Sequence, residues 1–235
     1  MKKINIGIPN RSSFIHISGI IQCISAGLIE KSEYHPAKLF YSNEKANIYL
    51  LRNDQLCNQL LDKKLDYVYT GDDYAYEIFA NNIKKLLSVD IFKTKVCILY
   101  LGKLHKRVNI YTKFPNIANK YLELWKIKYN KIIKISGSCE TYCFLNKDSA
   151  TIDTVCTGGT KNVNKLISGR CSQQFSTGWY GCNHNKSLID SLAENNRAII
   201  KSLKQLYKDE LLNRDNKINK SIIKFMRNAK SRARC

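Results

Sequence analysis

The segment TIDTVCTGGTKNVNKL, residues 151–166, is an alternating apolar run, Thr151 to Val155, that breaks abruptly into a small, hydroxyl-rich and glycine-rich turn. A strand ending in such a turn ahead of a helix is a building unit of an α/β fold. The same geometry makes a phosphate cradle. Gly158 and Gly159 let the backbone approach an anion closely, and Thr157 and Thr160 add hydroxyl donors. Any helix starting near Thr160 aims unpaired N–H groups at the same point. Asp153, near the end of the strand, is placed to take sugar hydroxyls. On spacing alone, a turn of this composition is more often only a turn.

Outward from this segment the chain alternates between strand and helix patterns. A first strand runs from Ile4 to Ile8 and ends at Pro9, and Phe14 to Ile29 carries apolar residues at helical spacing, at 17, 20, 21, 24 and 28. Extended runs follow at Asn47–Leu51, Leu65–Tyr69, Val96–Leu101, Val108–Tyr111, Ile132–Ile135 and Thr151–Val155, with a helical segment at Ile117–Trp125. Such alternation predicts an α/β architecture with largely parallel sheets. Ligands in such folds bind at the carboxyl ends of strands, where Pro9, Thr70, Thr112, Ser136 and Thr157 fall. Residues 168–186 carry Gly169, Gly178 and Gly181 and read as an irregular loop, with Trp179 and Tyr180 either packing inward or lining a cleft. Ser187 is a helix cap with Asp190 in the first turn, and Leu188, Leu192, Ile199, Leu203 and Leu206 continue an apolar stripe.

The 235-residue chain is long enough for one domain or two small lobes. No apolar run approaches the length of a membrane span, and the N-terminus leads straight into a strand pattern, so the expected location is cytoplasmic. Nine cysteines show no zinc-like pairing and read mostly as reduced, several of them buried. Four histidines show no paired spacing, so no metal site is expected from the protein alone. The formal charge of +20 fits an enzyme attracting polyanionic substrates, or a biased Lys, Asn and Ile usage. Nucleic acid is the less favoured partner, because the basic residues are scattered and no recognised nucleic-acid motif is present. The segment from Arg214 to Cys235 carries eight Lys or Arg against one Asp and reads either as a basic amphipathic interaction segment or as a solvated tail.

The pattern Asp153-x-Val155-x-Thr157-Gly158-x-Thr160, followed by Asn164 and Leu166, resembles the phosphoribosyl-diphosphate (PRPP) loop of the ATP phosphoribosyltransferases that open histidine biosynthesis. Three more segments resemble that family in the same order. Arg52, Asp66 and Thr70-Gly71-x-Asp73 with Glu77 are similar to its Arg and Asp-x-Gly-Ile-Thr-Gly-x-Asp segments. Tyr111-Thr112-Lys113-Phe114-Pro115-Asn116, with Ala118 and Tyr121, resembles its Thr-Lys-Tyr-Pro segment, and Ser136-Gly137-Ser138-Cys139-Glu140 its Gly-Ser-Val-Glu segment. The resemblance covers roughly residues 3 to 168. It implies a divergent short-form catalytic subunit with a two-lobed type II periplasmic-binding-protein-like fold and a ligand cleft between the lobes. The implied lobes are 1–92 plus 168–212 and, carrying the PRPP loop, 93–167, with a basic C-terminal tail at 213–235.

The resemblance also implies the chemistry: displacement at the anomeric carbon of PRPP by a ring nitrogen of ATP, with release of diphosphate and with Mg2+ neutralising the phosphates. Glu140 and Asp153 are the candidate catalytic residues facing the ribose hydroxyls. Asp153, Thr157, Gly158, Gly159 and Thr160 are the PRPP-binding candidates, and Arg11, Arg52, Asp73 and Lys113 the diphosphate or nucleotide candidates. A homo-oligomer and a separate regulatory subunit resembling a histidyl-tRNA synthetase are the implied partners. The chain departs from the family at Pro9-Asn10-Arg11-Ser12, where Pro-Lys-Gly-Arg is expected, and at Gln55 and Ser149, where aspartates are expected. A related PRPP-dependent transferase with another acceptor, and a non-catalytic module binding a nucleotide or sugar phosphate, therefore stay as alternatives.

Overall fold

A computed structural model describes residues 3–10, 14–80, 82–146, 148–155, 159–182, 186–194, 201, 202 and 205. In chain order the elements of the first half are β1 (Ile4–Pro9), α1 (Phe14–Ser25), β2 (Phe40–Ser42), β3 (Ala46–Leu51), α2 (Asn53–Leu61), β4 (Tyr67–Gly71), α3 (Asp72–Phe79) and β5 (Lys84–Tyr100). The second half holds β6 (Val108–Thr112), α4 (Pro115–Leu124), β7 (Tyr129–Lys134), α5 (Tyr142–Leu145), β8 (Ser149–Val155), α6 (Gly159–Val163), β9 (Ile167–Gly181) and α7 (Lys186–Glu194). The chain divides into two compact units, Met1–Gly71 with Asn82–Ile91 and Thr177–Cys235, and Asp72–Asn81 with Phe92–Ser176. The sequence reading divides the chain at 92/93 and 167/168, whereas the units place 72–81 and 168–176 with the second body.

In the first unit β1 lies parallel between β3 and β4, β2 covers β3 antiparallel, and β4 pairs antiparallel with the end of β9, from Tyr67 opposite Gly181 to Gly71 opposite Thr177. Ile6, Ile8, Ile20, Ile48, Leu56 and Leu60 form the apolar interior. A chain of polar groups is buried with them. The Trp179 indole N–H donates to Gln22 Oε1 at 2.9 Å, the Gln22 amide donates to Ser18 Oγ, and Ser18 and Thr177 both meet the Tyr69 hydroxyl. Trp179 therefore packs inward, and its one donor is satisfied, as burial requires. Helix α1 ends at Ser25, short of the expected Ile29, because Gly27 takes a left-handed φ of +66° and closes the helix.

In the second unit β6 lies parallel between β7 and β8, and β8 pairs antiparallel with β5. Helix α4 buries Ile117, Ala118, Tyr121 and Leu122 against Ile110 and Ile152 of the sheet. That stripe repeats at helical spacing, and each large side chain it removes from water contributes about 1.5–3 kcal/mol.

The expected loop at 168–186 is a correction: Ile167–Gly181 is a fifteen-residue strand. Its glycines serve close approach rather than turning. A Cβ at Gly178 would lie 2.6 Å from the Leu87 carbonyl oxygen, and one at Gly169 would lie 2.9 Å from Ile98 Cγ2. The reading of the cysteines as mostly reduced is also refined. Cys97 and Cys171 form a disulfide across 74 residues of sequence, while Cys23, Cys57, Cys139, Cys143 and Cys182 are not disulfide-bonded. No described helix is long and apolar enough to cross a membrane. Ile199, Leu203, Leu206 and the basic segment 213–235 lie outside the described residues.

Candidate functional site

Three parallel strands of the second unit, β7, β6 and β8, end on the same side, and their carboxyl ends carry the charged residues singled out in the sequence. Thr112 closes β6. Its hydroxyl donates to the Ile152 carbonyl at 2.6 Å and accepts the Phe114 N–H at 2.9 Å, which turns the chain sharply around Lys113. Lys113 Nζ then lies 3.2 Å from Asp153 Oδ2. Asp153 is 3% exposed, and its other oxygen, Oδ1, accepts the Thr154 N–H at 2.7 Å. Burial, the largest single influence, pulls the Lys113 ammonium down, but Asp153, with Cys139 and Tyr74 adding to it, outweighs burial, so Lys113 is held above its usual range and stays cationic.

The loop after β7 brings Cys139 to the same place. Gly137 takes a φ of +96°, a conformation that favours glycine, and Cys139 follows it fully buried. Burial, then the Asp153 charge, pushes the thiol up to about 12, so Cys139 is a neutral group beside the ion pair. Asp73 joins the neighbourhood from α3. It is 8% exposed, its Oδ1 accepts the Tyr74 N–H at 2.9 Å, and burial, with Asp72 and Asp153 adding repulsion, pushes its carboxyl up to about 6.

Of the residues expected to form the site, Asp73, Lys113 and Asp153 thus share one electrostatic neighbourhood. Glu140 follows Cys139 directly and is half-buried. After burial, its charge contributes to raising the Cys143 thiol to about 11. Gly159 and Thr160 open α6, the helix that follows β8 in the chain. Arg11, Thr157 and Gly158 lie outside the described residues. Arg52 belongs to the first unit, where it leads from β3 into α2 with its Nε 3.6 Å from Asp54 Oδ1 and its side chain 57% exposed. So open a pair adds little and leaves the guanidinium accessible.

The structure also accounts for two departures from the resembled pattern. Gln55 accepts the Arg52 N–H on its side-chain oxygen at 3.4 Å and so serves the start of α2. Ser149 Oγ lies 2.6 Å from the carbonyl oxygens of both Tyr142 and Asn146, binding the end of α5 to the start of β8.

Glu77 is the functional neighbour that sequence reasoning left without a role. Its carboxylate accepts the N–H groups of Asn116 and Ile117 at 3.1 and 3.0 Å, so the N-terminus of α4 is already taken by a protein anion. A signal was present: Pro115 marks a helix start, yet Phe114 in front of it has no capping side chain, so the cap must come from elsewhere in the fold. Among the described residues no group of three or more His, Cys, Asp or Glu could hold a metal ion.

Comparison with known proteins gives this geometry a setting. The family model HisG: ATP phosphoribosyltransferase matches residues 52–172, a range that contains Arg52, Asp73, Lys113, Glu140 and Asp153. The ATP phosphoribosyltransferase of Sulfurisphaera tokodaii is 28% identical over 131 residues, which are 52% of this chain and 45% of that protein. The chain thus spans about half the length of the curated relative it matches. Among solved structures, the ATP phosphoribosyl transferase (HisG:HisZ) complex from Thermotoga maritima aligns with a TM-score of 0.69 at 17% identity, covering 85% of this chain and 99% of the other. The GluR0 ligand-binding core from Nostoc punctiforme, in complex with (L)-glutamate, aligns with a TM-score of 0.55 at 12% identity, over 85% and 95% of the two chains. These likenesses show the fold, an α/β architecture of the type II periplasmic-binding-protein kind.

Proposed function

The chain belongs to the ATP phosphoribosyltransferase family, and on that premise we propose that it transfers the phosphoribosyl group of PRPP to a ring nitrogen of ATP with release of diphosphate, the opening step of histidine biosynthesis. The observation that carries this reading is the Lys113–Asp153 pair at the carboxyl ends of β6 and β8, with Asp73 and the Cys139 thiol beside it.

Displacement at an anomeric carbon passes through a transition state with oxocarbenium character, so the protein must orient the sugar and absorb charge on the departing diphosphate. Asp153 accepts from the ribose hydroxyls. A carboxylate has more acceptor sites than the three that Lys113, the Thr154 N–H and the Thr154 hydroxyl occupy, so a sugar hydroxyl can be added without breaking any of them. Lys113 supplies positive charge to the diphosphate, and Glu140 takes a second ribose hydroxyl. The turn at 157–160 receives the 5′-phosphate, Arg11 and Arg52 serve the diphosphate or the nucleotide phosphates, and Asp73 shapes the acceptor side.

Magnesium fits this donor set, because it is held largely by substrate phosphates and needs only one or two protein carboxylates. Asp153, paired with Lys113, can provide one such carboxylate. When bound, the ion neutralises diphosphate charge. The proposed partners are further copies of this chain and a separate regulatory subunit resembling a histidyl-tRNA synthetase, a reading supported by the HisG:HisZ complex of the Thermotoga maritima protein. A second reading, a PRPP-dependent transferase with another acceptor, is favoured by Asn10 and Ser12 standing where the resembled pattern has cationic residues.

The test is diphosphate release from purified protein mixed with PRPP, magnesium and ATP, with mass spectrometry of the nucleotides in the same tube. A phosphoribosyl-ATP mass is expected. Diphosphate release only with a different acceptor would replace ATP by that acceptor. Absence of release, together with no thermal protection by PRPP, would overturn the transferase reading.

A further inference from the structure

We infer that Glu77 is a positioning residue whose carboxylate holds α3 and α4 in one register and thereby sets both Asp73 and Lys113 against Asp153. The contact is reciprocal. Pro115, first in α4, has no N–H, so Asn116 and Ile117 are the next helix-start donors without intrahelical partners, and the two oxygens of Glu77 take one each. In return the Asn116 side-chain amide donates to the backbone carbonyl of Glu77 at 2.8 Å. That carbonyl lies in the last turn of α3, where carbonyls lack helical donors. Each helix end therefore satisfies the other.

The two residues that this clamp controls lie close to it on the chain. Asp73 is four positions before Glu77, one turn back on the same face of α3. Lys113 is two positions before Pro115, in the short connection whose other end is fixed by the Thr112 hydroxyl. Tyr74 meets Phe114 edge-on at 5.1 Å and Lys120 stands over the Tyr76 ring at 4.4 Å, so the same two helices are seated along their flanks as well. Those flanking contacts are neutral or exposed, whereas Glu77 is a buried carboxylate 8% exposed whose oxygens are both engaged. A charged acceptor with two fixed donors sets a narrower geometry than ring packing does. The consequence for turnover rests on the phosphoribosyl-transfer reading, but the positional claim does not.

Glu77→Gln preserves shape and one acceptor oxygen while presenting an amide N–H2 to the other backbone donor. The readouts are the crystal structure of the variant, which gives the Lys113 Nζ to Asp153 Oδ2 distance, 3.2 Å in the wild type, and the affinity for inorganic diphosphate by calorimetry. A residue that merely adds stability leaves both unchanged in the folded protein. In Glu77→Gln the Lys113–Asp153 pair is expected to open beyond hydrogen-bonding distance, and diphosphate affinity to fall by about three- to tenfold. Asn116→Ala removes the reciprocal bond while leaving Glu77 in place, and is expected to open the pair in the same way. It decides the matter if Glu77→Gln does not fold. A folded variant that keeps the wild-type placement of Asp73 and Lys113 against Asp153 overturns the inference. Because that placement is read without PRPP or ATP, this outcome is separate from a failure of the transferase reading.

Discussion

Asp73 and Asp153 place two buried carboxylates in one neighbourhood, and the lysine between β6 and α4 pairs with Asp153. Asp73 therefore carries the cost, with its carboxyl pushed up to about 6 from an ordinary 3.8. Because its folded value lies above its unfolded one, the folded state binds the proton more tightly. This group's penalty is absent below about pH 4 and grows as pH rises through 6. Asp73→Asn should therefore raise stability at pH 8 by about 2–3 kcal/mol, with the gain vanishing near pH 4, as read by urea unfolding at the two pH values. An equal gain at both would mean that folding does not raise the Asp73 carboxyl. Asp73, Lys113 and Asp153 were each named as candidates from a short motif. Their meeting in one neighbourhood depends on α3 packing in the second unit, which no motif states. Cys139 stayed unread for a related reason: a single thiol in a loop gives no spacing signal, and only burial makes it a neutral neighbour of the ion pair.

At the scale of elements, the apolar pattern located β3 and β6, which alternate buried and half-buried residues, β1, β4 and β8, which are nearly continuous buried runs, and α4, which buries one stripe. The strand β9 defeated it. Three glycines and several polar residues gave Ile167–Gly181 the composition of a loop, yet all three glycines stand where a side chain would strike a neighbouring segment. Gly178→Ala tests this reading, since its new Cβ meets a backbone oxygen, Leu87 O, at 2.6 Å and a backbone cannot move as a flexible side chain does. A loss of about 1–3 kcal/mol in urea unfolding is expected, and an unchanged midpoint would return the glycine to the status of a turn residue. The disulfide belongs to the same scale. Cys97 sits opposite Asp153 in the β5–β8 register, and Cys171 ties that strand to β9. Closing a loop of 74 residues restricts the unfolded chain, so reduction should cost about 2–4 kcal/mol of stability, measured by unfolding with and without a dithiol. No change on reduction would show that the cross-link is absent in solution.

Across the whole molecule, the order of elements explains why the units interleave in sequence. The chain leaves the first unit after Gly71, contributes α3 to the second, and returns for Asn82–Ile91 before crossing again. A linear reading by composition cannot see such an excursion, because α3 is too short to register as a separate segment and its apolar residues suit either body. The family assignment was legible because four short motifs occur in order, and the family match over residues 52–172 spans all four. A net charge of +20 suits a polyanionic ligand.

The most direct measurement is a calorimetric titration of PRPP with magnesium into the wild-type protein and into Asp153→Asn, with Lys113→Met as a second variant. If the carboxyl ends of β6 and β8 form the donor site, the wild type binds with saturation and each variant binds at least about tenfold more weakly. Equal affinity in all three proteins, or no binding by the wild type, would contradict the placement of the donor site at Lys113 and Asp153.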